Sequence, residues 1–194
     1  MTNDLTSRWD ARYRQTSTTT IPAPAEVLAE NSHLLPATGN ALDVACGSGN
    51  NALFLAAHGL QTTAWDISPV AIGKLLEFSS TLQLTIDART RDVEARPPGP
   101  QTFDVITVSR FLIRHLAPAL ITALRPRGLL FYQTFTAIKI DRSGPDNPDF
   151  LLAENELLTL FRGLIIRVYR EEGRLGNPQL GFRNAALLVA QKPP

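Results

Sequence analysis

Three features of this 194-residue chain predict an α/β fold on a Rossmann-like, mostly parallel sheet. Short apolar runs alternate with helix-length stretches from residue 41 onward, and the first of those runs leads straight into a glycine-rich turn. The last two runs are joined by a segment with no helical period, which makes them an antiparallel pair. Strands separated by helices need right-handed crossovers, so the remaining strands lie parallel in a doubly wound sheet with helices on both faces.

Residues 4–14 read as a short helix carrying Trp9 and Tyr13 at i and i+4, so both rings share one face. Gln15 to Pro24 is rich in Thr and Pro and reads as a loop, and Pro24 to Leu35 as a helix stopped before Pro36. Strands are expected at Ala41–Ala45, Thr62–Asp66, Leu84–Arg89, Phe103–Ser109, Leu129–Phe135, Ile165–Arg170 and Ala185–Gln191. Helices are expected at Asn50–His58, Pro69–Thr81, Ile113–Leu124 and Glu154–Phe161, the first ended by Gly59 and the third near Pro126. Residues 171–183 contain Gly173, Gly176, Pro178 and Gly181, which suits the long loop of a hairpin and makes the last of seven strands antiparallel. Residues 136–150 form a second long loop with turn chemistry at Gly144-Pro145-Asp146-Asn147-Pro148. The chain therefore reads as a single domain: a helical cap over 1–37, a Rossmann-like core over 38–194, and a substrate lid at 136–150.

Composition narrows the function classes. Nineteen Lys and Arg against 18 Asp and Glu leave a net charge of +1, so nucleic acid is not an expected partner. Arg110, Arg114, Arg125 and Arg127 cluster in sequence, either as a local basic patch or as a solvated helix flank. One cysteine excludes an internal disulfide framework, and three scattered histidines give no metal site. No apolar run reaches the ~20 residues of a membrane span, and Met1-Thr2-Asn3-Asp4 is unlike a secretory signal. A cytoplasmic enzyme, monomer or homodimer, is the expectation.

The chemistry concentrates at strand ends. Ala41-Leu42-Asp43-Val44-Ala45-Cys46-Gly47-Ser48-Gly49-Asn50-Asn51-Ala52 is a buried strand, a glycine turn and a helix start. In an open parallel sheet such a turn faces the ligand crevice. Asp66 ends the second strand 17 residues after Gly49, where a carboxylate accepts from ribose hydroxyls. Asp92 follows the third strand, where it accepts from an adenine amino group while Val93 packs the ring. A dinucleotide enzyme fits this much equally well. Asp43 separates the two, because a carboxylate four residues before Gly47 repels a pyrophosphate but attracts an ammonium. S-adenosylmethionine offers ribose, adenine and ammonium without phosphate. The alternative for Asp43 is a structural cap on nearby amides.

These residues resemble class I S-adenosylmethionine-dependent methyltransferases over roughly residues 38–192. Leu42 to Gly49 looks like that family's first motif, with Ala45 at a position commonly held by glycine. Phe103 to Phe111 looks like the fourth-strand motif, and Leu124-Arg-Pro-Arg-Gly-Leu-Leu130 like the lead into strand five, with Arg127 at a usual glycine. Trp9 to Tyr13, Leu55 to Gly59, Ala64-Trp65-Asp66 and Gly181 to Leu188 look like the tellurite-resistance and thiopurine branch of small-molecule methyltransferases. The resemblance implies that the donor lies along Asp43, Ala45, Cys46, Gly47, Ser48, Gly49, Asn50 and Asn51. Its ribose and base would reach Asp66, Ile67, Ser68, Asp92, Val93 and Glu94, and its far end Ser109, Arg110 and Phe111.

Trp9 and Tyr13 either face the sulfonium or cover the sheet edge. The candidate catalytic residues are Arg110, Arg114 and His115. The two arginines lie at i and i+4 if the segment is helical, and would share an anionic acceptor. Tyr132, Gln133, Arg142 and Asn147 are further candidates for acceptor contacts, and Cys46 reads as a packing residue. Competing readings are an NAD-dependent oxidoreductase and a non-catalytic module of the same fold.

Overall fold

The computed structural model describes residues 2–15, 21 and 23–194. Most of the loop expected over Gln15–Pro24 lies outside the described residues. Seven strands form one sheet in the order β3-β2-β1-β4-β5-β7-β6. They are β1 (Asn40–Val44), β2 (Gln61–Asp66), β3 (Ile86–Thr90), β4 (Phe103–Ser109), β5 (Leu124–Phe135), β6 (Ile165–Arg170) and β7 (Ala185–Gln191). The sheet is parallel throughout except for β7, which runs antiparallel to both β5 and β6. The strand order reverses between β1 and β4, and that switch point fixes where a ligand crevice opens.

The helices are α1 (Thr2–Gln15), α2 (Glu26–Ala29), α3 (Asn50–Ala57), α4 (Pro69–Thr81), α5 (Ala117–Ala123) and α6 (Glu156–Leu160). Strand alternation sorts the core onto two faces. Leu42, Val44, Ile106, Val108, Leu130 and Leu188 meet Leu116, Leu120, Leu157 and Phe161 on one side. Ala41, Val105, Phe131 and Val189 meet Val27, Leu28 and Leu55 on the other, and α3 and α4 close over β2 through Ala52, Leu53, Ala64 and Leu75. Strand β1 is buried on both faces, as the central strand of a parallel sheet must be.

Three expected elements come out differently, each for a local reason. The helix expected over Pro24–Leu35 is only α2 followed by a 3₁₀ turn at Ser32–Leu34. Buried Asn31 donates its side-chain amide to Val27 O at 3.0 Å and so takes the carbonyl that a continuing helix would use. The helix expected over Ile113–Leu124 begins late, as a 3₁₀ turn at Arg114–Leu116 and then α5, with Pro118 in its first turn. Proline has no N–H and suits the first turn of a helix but not its interior. Strand β5 starts at Leu124 rather than Leu129, because the Arg-Pro-Arg-Gly segment forms an irregularity inside the strand opposite Phe103–Val105. Arg127 takes a φ of 65° there, and a β-carbon on Gly128 would lie 2.9 Å from the Arg125 carbonyl oxygen.

The crossover from β3 to β4, residues 91–102, carries no helix. Arg91 instead lies over the Trp65 ring at 3.9 Å, and Val93 is buried beside the core. A groove of about 660 Å³ is left along β2 and β3, far from the glycine turn. Its charged residues Asp87 and Arg89 pair with each other at 2.6 Å. Size alone does not make it the functional site.

Residues 136–151 leave the sheet and return to it. Ala137 N–H donates to Leu152 O at 2.8 Å and Leu152 N–H to Phe135 O at 2.9 Å, which closes the loop at its base. Asn184 ties the loop across, accepting from Ile140 N–H and donating to Asp141 and Ser143.

Gly128 is a position where backbone must pass backbone. Gly128→Ala is expected to lower the unfolding free energy by about 2 kcal/mol, read as a lower urea midpoint with an unchanged slope.

Candidate functional site

The turn after β1 is held by backbone bonds. Cys46 N–H donates to Trp65 O and Gly49 N–H to Cys46 O, both at 2.9 Å. Ala45 takes a φ of 52°, Gly47 one of 55° and Gly49 one of 89°, so the turn uses the left-handed region three times within five residues. Gly49 has no room for a side chain, since a β-carbon there would sit 2.1 Å from Leu75 Cδ1 of α4. The turn is therefore packed on α4.

Asp43 lies on the Ala41 face of β1, beneath the start of α3, and is wholly buried. Its Oδ2 accepts from Ala52 N–H at 3.0 Å, which supplies the cap that Gly49 cannot. Its Oδ1 has no hydrogen-bond partner. Burial pushes the carboxyl up to about 7, opposed by the Asn51 side chain and the Ala52 N–H. One oxygen thus caps the helix and the other is left without a partner.

Asp66 is buried at the end of β2. Its Oδ2 accepts from Gly47 N–H and its Oδ1 from Ser68 N–H, each at 2.8 Å. Both oxygens retain a second lone-pair direction for a hydroxyl. Burial raises its pKa, against the pull of those two N–H donors. Asp92 sits half-buried after β3, and its Oδ1 accepts from Glu94 N–H at 2.9 Å and Ala95 N–H at 3.2 Å. Val93 is buried, Glu94 is exposed, and Ile67 is half-buried. Ser68 is fully buried and caps α4, accepting from Ala71 N–H at 3.2 Å.

Helix α1 crosses this region. Asp10 accepts from Ser68 Oγ, and Lys74 donates to Tyr13 O, so α1 is tied to α4 from two sides. The Tyr13 hydroxyl rests against Gly47, 2.7 Å from where a β-carbon would be. Burial first, then Asp66, hold that phenol above its ordinary pKa, which keeps it neutral and able to donate. Trp9 packs on Tyr13 with ring centroids 6.1 Å apart and takes Arg12 over its own ring at 5.4 Å. Cys46 is held as a neutral thiol by burial, then by Asp43 and Asp66.

Asn50 and Asn51 do different work. Asn50 reaches Ala23 O and accepts from Ser48. Asn51 Nδ2 donates to Ser109 Oγ and its Oδ1 accepts from Ala25 N–H, both at 2.9 Å, joining α3, β4 and the start of α2. Beyond it, a cavity of about 180 Å³ opens at the carboxyl ends of β4 and β5, walled by Glu26, Arg110, Gln133, Thr134, Arg183 and Asn184 among others.

The three catalytic candidates separate. Arg114 is engaged structurally: its guanidinium binds Glu156 at 2.5 and 2.9 Å and donates to Asp149 O and Leu151 O, so it anchors the return of the 136–151 loop. It shares no helix face with Arg110, because residues 110–113 are not helical and Arg110 has a φ of 53°. His115 is exposed on the 3₁₀ turn and lines neither hollow. Of the three, Arg110 alone lines the 180 Å³ cavity.

Phe111 accepts at its carbonyl from the buried Tyr132 hydroxyl at 2.8 Å, which makes Tyr132 a core residue. Arg142 is exposed, and Asn147 caps the 3₁₀ turn at Pro148–Phe150. Sequence reasoning missed Glu26, Asp10 and Asn184, whose partners lie far along the chain. The available signals were Asp10, inside the Trp9–Tyr13 segment already singled out, and Asn184, inside the Gly181–Leu188 segment.

The family described as Methyltransferase domain matches residues 12–169. The ubiquinone biosynthesis O-methyltransferase of Burkholderia multivorans is 33% identical over 119 residues, 57% of this chain and 50% of that protein. The chain spans half or less of the length of the curated relatives it matches. TehB from Haemophilus influenzae superposes with a TM-score of 0.69 at 24% identity, over 95% of this chain and 67% of that one. A structure described for the conversion of a disulfide bond into a thioacetal group during echinomycin biosynthesis superposes with a TM-score of 0.74 at 23% identity, over 97% and 92%. Those two likenesses speak to fold alone, whereas the family match covers well over half of the residues, and the chain belongs to the methyltransferase domain family.

Proposed function

We propose that the protein is an S-adenosylmethionine-dependent methyltransferase acting on a small-molecule acceptor: a thiol, a chalcogenide oxyanion or another small nucleophile. The observation that carries this reading is the unpartnered, wholly buried Oδ1 of Asp43 beside the glycine turn. A buried acceptor without a donor is costly, and a ligand ammonium supplies both the donor and the opposite charge. The donor set fits S-adenosylmethionine: Asp43 for the ammonium, Asp66 for the ribose, and Asp92 with Val93 for the base. When bound, that cofactor supplies a methyl group already activated on a sulfonium.

The chain's own task is to orient and to exclude water. Tyr13 covers the turn at Gly47, and α1 is fastened above it through Asp10 and Lys74. Asn51 fixes the distance between the donor side and the acceptor cavity by holding Ser109 and the Ala25 N–H. We assign residues 136–150 the role of substrate cover. Within the family, the tellurite-resistance and thiopurine branch remains our preferred place for the chain, supported by its Trp9–Tyr13 and Ala64–Asp66 segments.

S-adenosylhomocysteine is expected to raise the melting temperature in a thermal-shift assay, with NADH inert. Asp66→Asn should weaken that ligand at least about tenfold, the effect of losing one charged hydrogen bond. Calorimetric titration checks it, and unchanged affinity would remove Asp66 from the site.

Asp43 generates a pH dependence of defined sign. Its folded pKa of about 7 lies above its unfolded value of 3.8. Between those values the folded state keeps a proton that the unfolded state has lost, so stability falls as pH rises through the window. Urea midpoints should drop from pH 5 to pH 7.5, and Asp43→Asn should flatten that slope. Cofactor binding below pH 7 should release a proton, seen as a heat that varies with the buffer's ionisation enthalpy.

A further inference from the structure

We infer that Arg110 and Glu26 are the two poles of the acceptor site, and that the acceptor is a small zwitterion of the amino-acid type, its anionic group on Arg110 and its protonated nitrogen on Glu26. The inference rests on the methyltransferase reading and names the substrate class of that site.

Several polar side chains that line the 180 Å³ cavity are already engaged. Arg183 is engaged by the carbonyls of Leu180, Gly173 and Asn177. Asn184 is engaged by Ile140, Asp141 and Ser143. Gln133 accepts from Val27 N–H at 2.8 Å through Oε1, which fixes its amide so that Nε2 donates to Glu26 Oε2. Glu26 is thereby held against the cavity wall with its Oε1 left open. The Arg110 guanidinium has no hydrogen bond or ion pair among the described residues, and its backbone N–H is fixed to Gln133 O at 2.8 Å. Its left-handed φ of 53° marks a backbone held in place by its surroundings.

Two opposite charges thus line one small hollow, unpaired with each other and each with open bonding capacity. A guanidinium there suits a carboxylate, which it can bind through two parallel bonds. A carboxylate with one open oxygen suits an ammonium. The volume of about 180 Å³ leaves room for a small metabolite.

Glycine, β-alanine and γ-aminobutyrate carry both charges at three spacings, while propionate and ethylammonium carry one each. Titrated into the protein saturated with S-adenosylhomocysteine, at least one of the three should bind at least about tenfold more tightly than either single-charge probe. Arg110→Gln should reduce that probe to the level of ethylammonium, and Glu26→Gln to the level of propionate. Both side chains are exposed, and the urea midpoint of each variant reports whether the fold persists. Equal or absent binding of all five probes overturns the inference, as does binding unchanged in both variants. Failure of S-adenosylhomocysteine itself to bind overturns the methyltransferase reading instead.

Discussion

A carboxylate removed from water with only one of its oxygens satisfied governs this molecule. Asp43 sits near the end of a strand buried on both faces, caps the helix that follows it, and leaves Oδ1 unpaired. Its placement follows from strand parity: Leu42 and Val44 belong to one core, so Asp43 must point with Ala41 toward α3. The helix start needs an acceptor there because Gly49, chosen for its φ of 89° and for contact with Leu75, has no side chain to provide one. The remaining oxygen is a buried acceptor left unsatisfied beside the turn, and the proposed ammonium contact and pH dependence both rest on it.

The two sides of the proposed site are built by different means. The glycine-turn side is shaped by local backbone hydrogen bonds within Cys46–Gly49, with Asp66 closing on Gly47. Its geometry follows once β1 and β2 pair in register. The cavity side is assembled from residues about a hundred positions apart, such as Gln133 with Val27 and Glu26. Such a wall depends on long-range packing of α2 against β5, and it is where members of one fold can differ in what they accept.

Much of the fold was legible in the residues. β4, β6, β7 and α4 have the bounds expected, because each combines a clear period with clean stops such as Ser68-Pro69 before α4. The departures fall where a side chain competes with the backbone, as Asn31 does at α2, or where proline sits inside a plausible helix, as Pro118 does at α5. The arginine pair failed for the same reason: the spacing of Arg110 and Arg114 has meaning only on a helix, and the chain there turns through a left-handed residue.

The sequence by itself determined the sheet, the glycine turn, and three aspartates at successive strand ends, because periodicity and turn chemistry are local properties of the chain. Only the tertiary structure decided which groups remain open. It committed Arg114 to Glu156, left Arg110 unpaired, brought Glu26 to Gln133, and divided the two oxygens of Asp43 between a helix cap and a vacancy for a donor. Whether a polar group is satisfied depends on what folding places beside it, and no spacing along the chain records that.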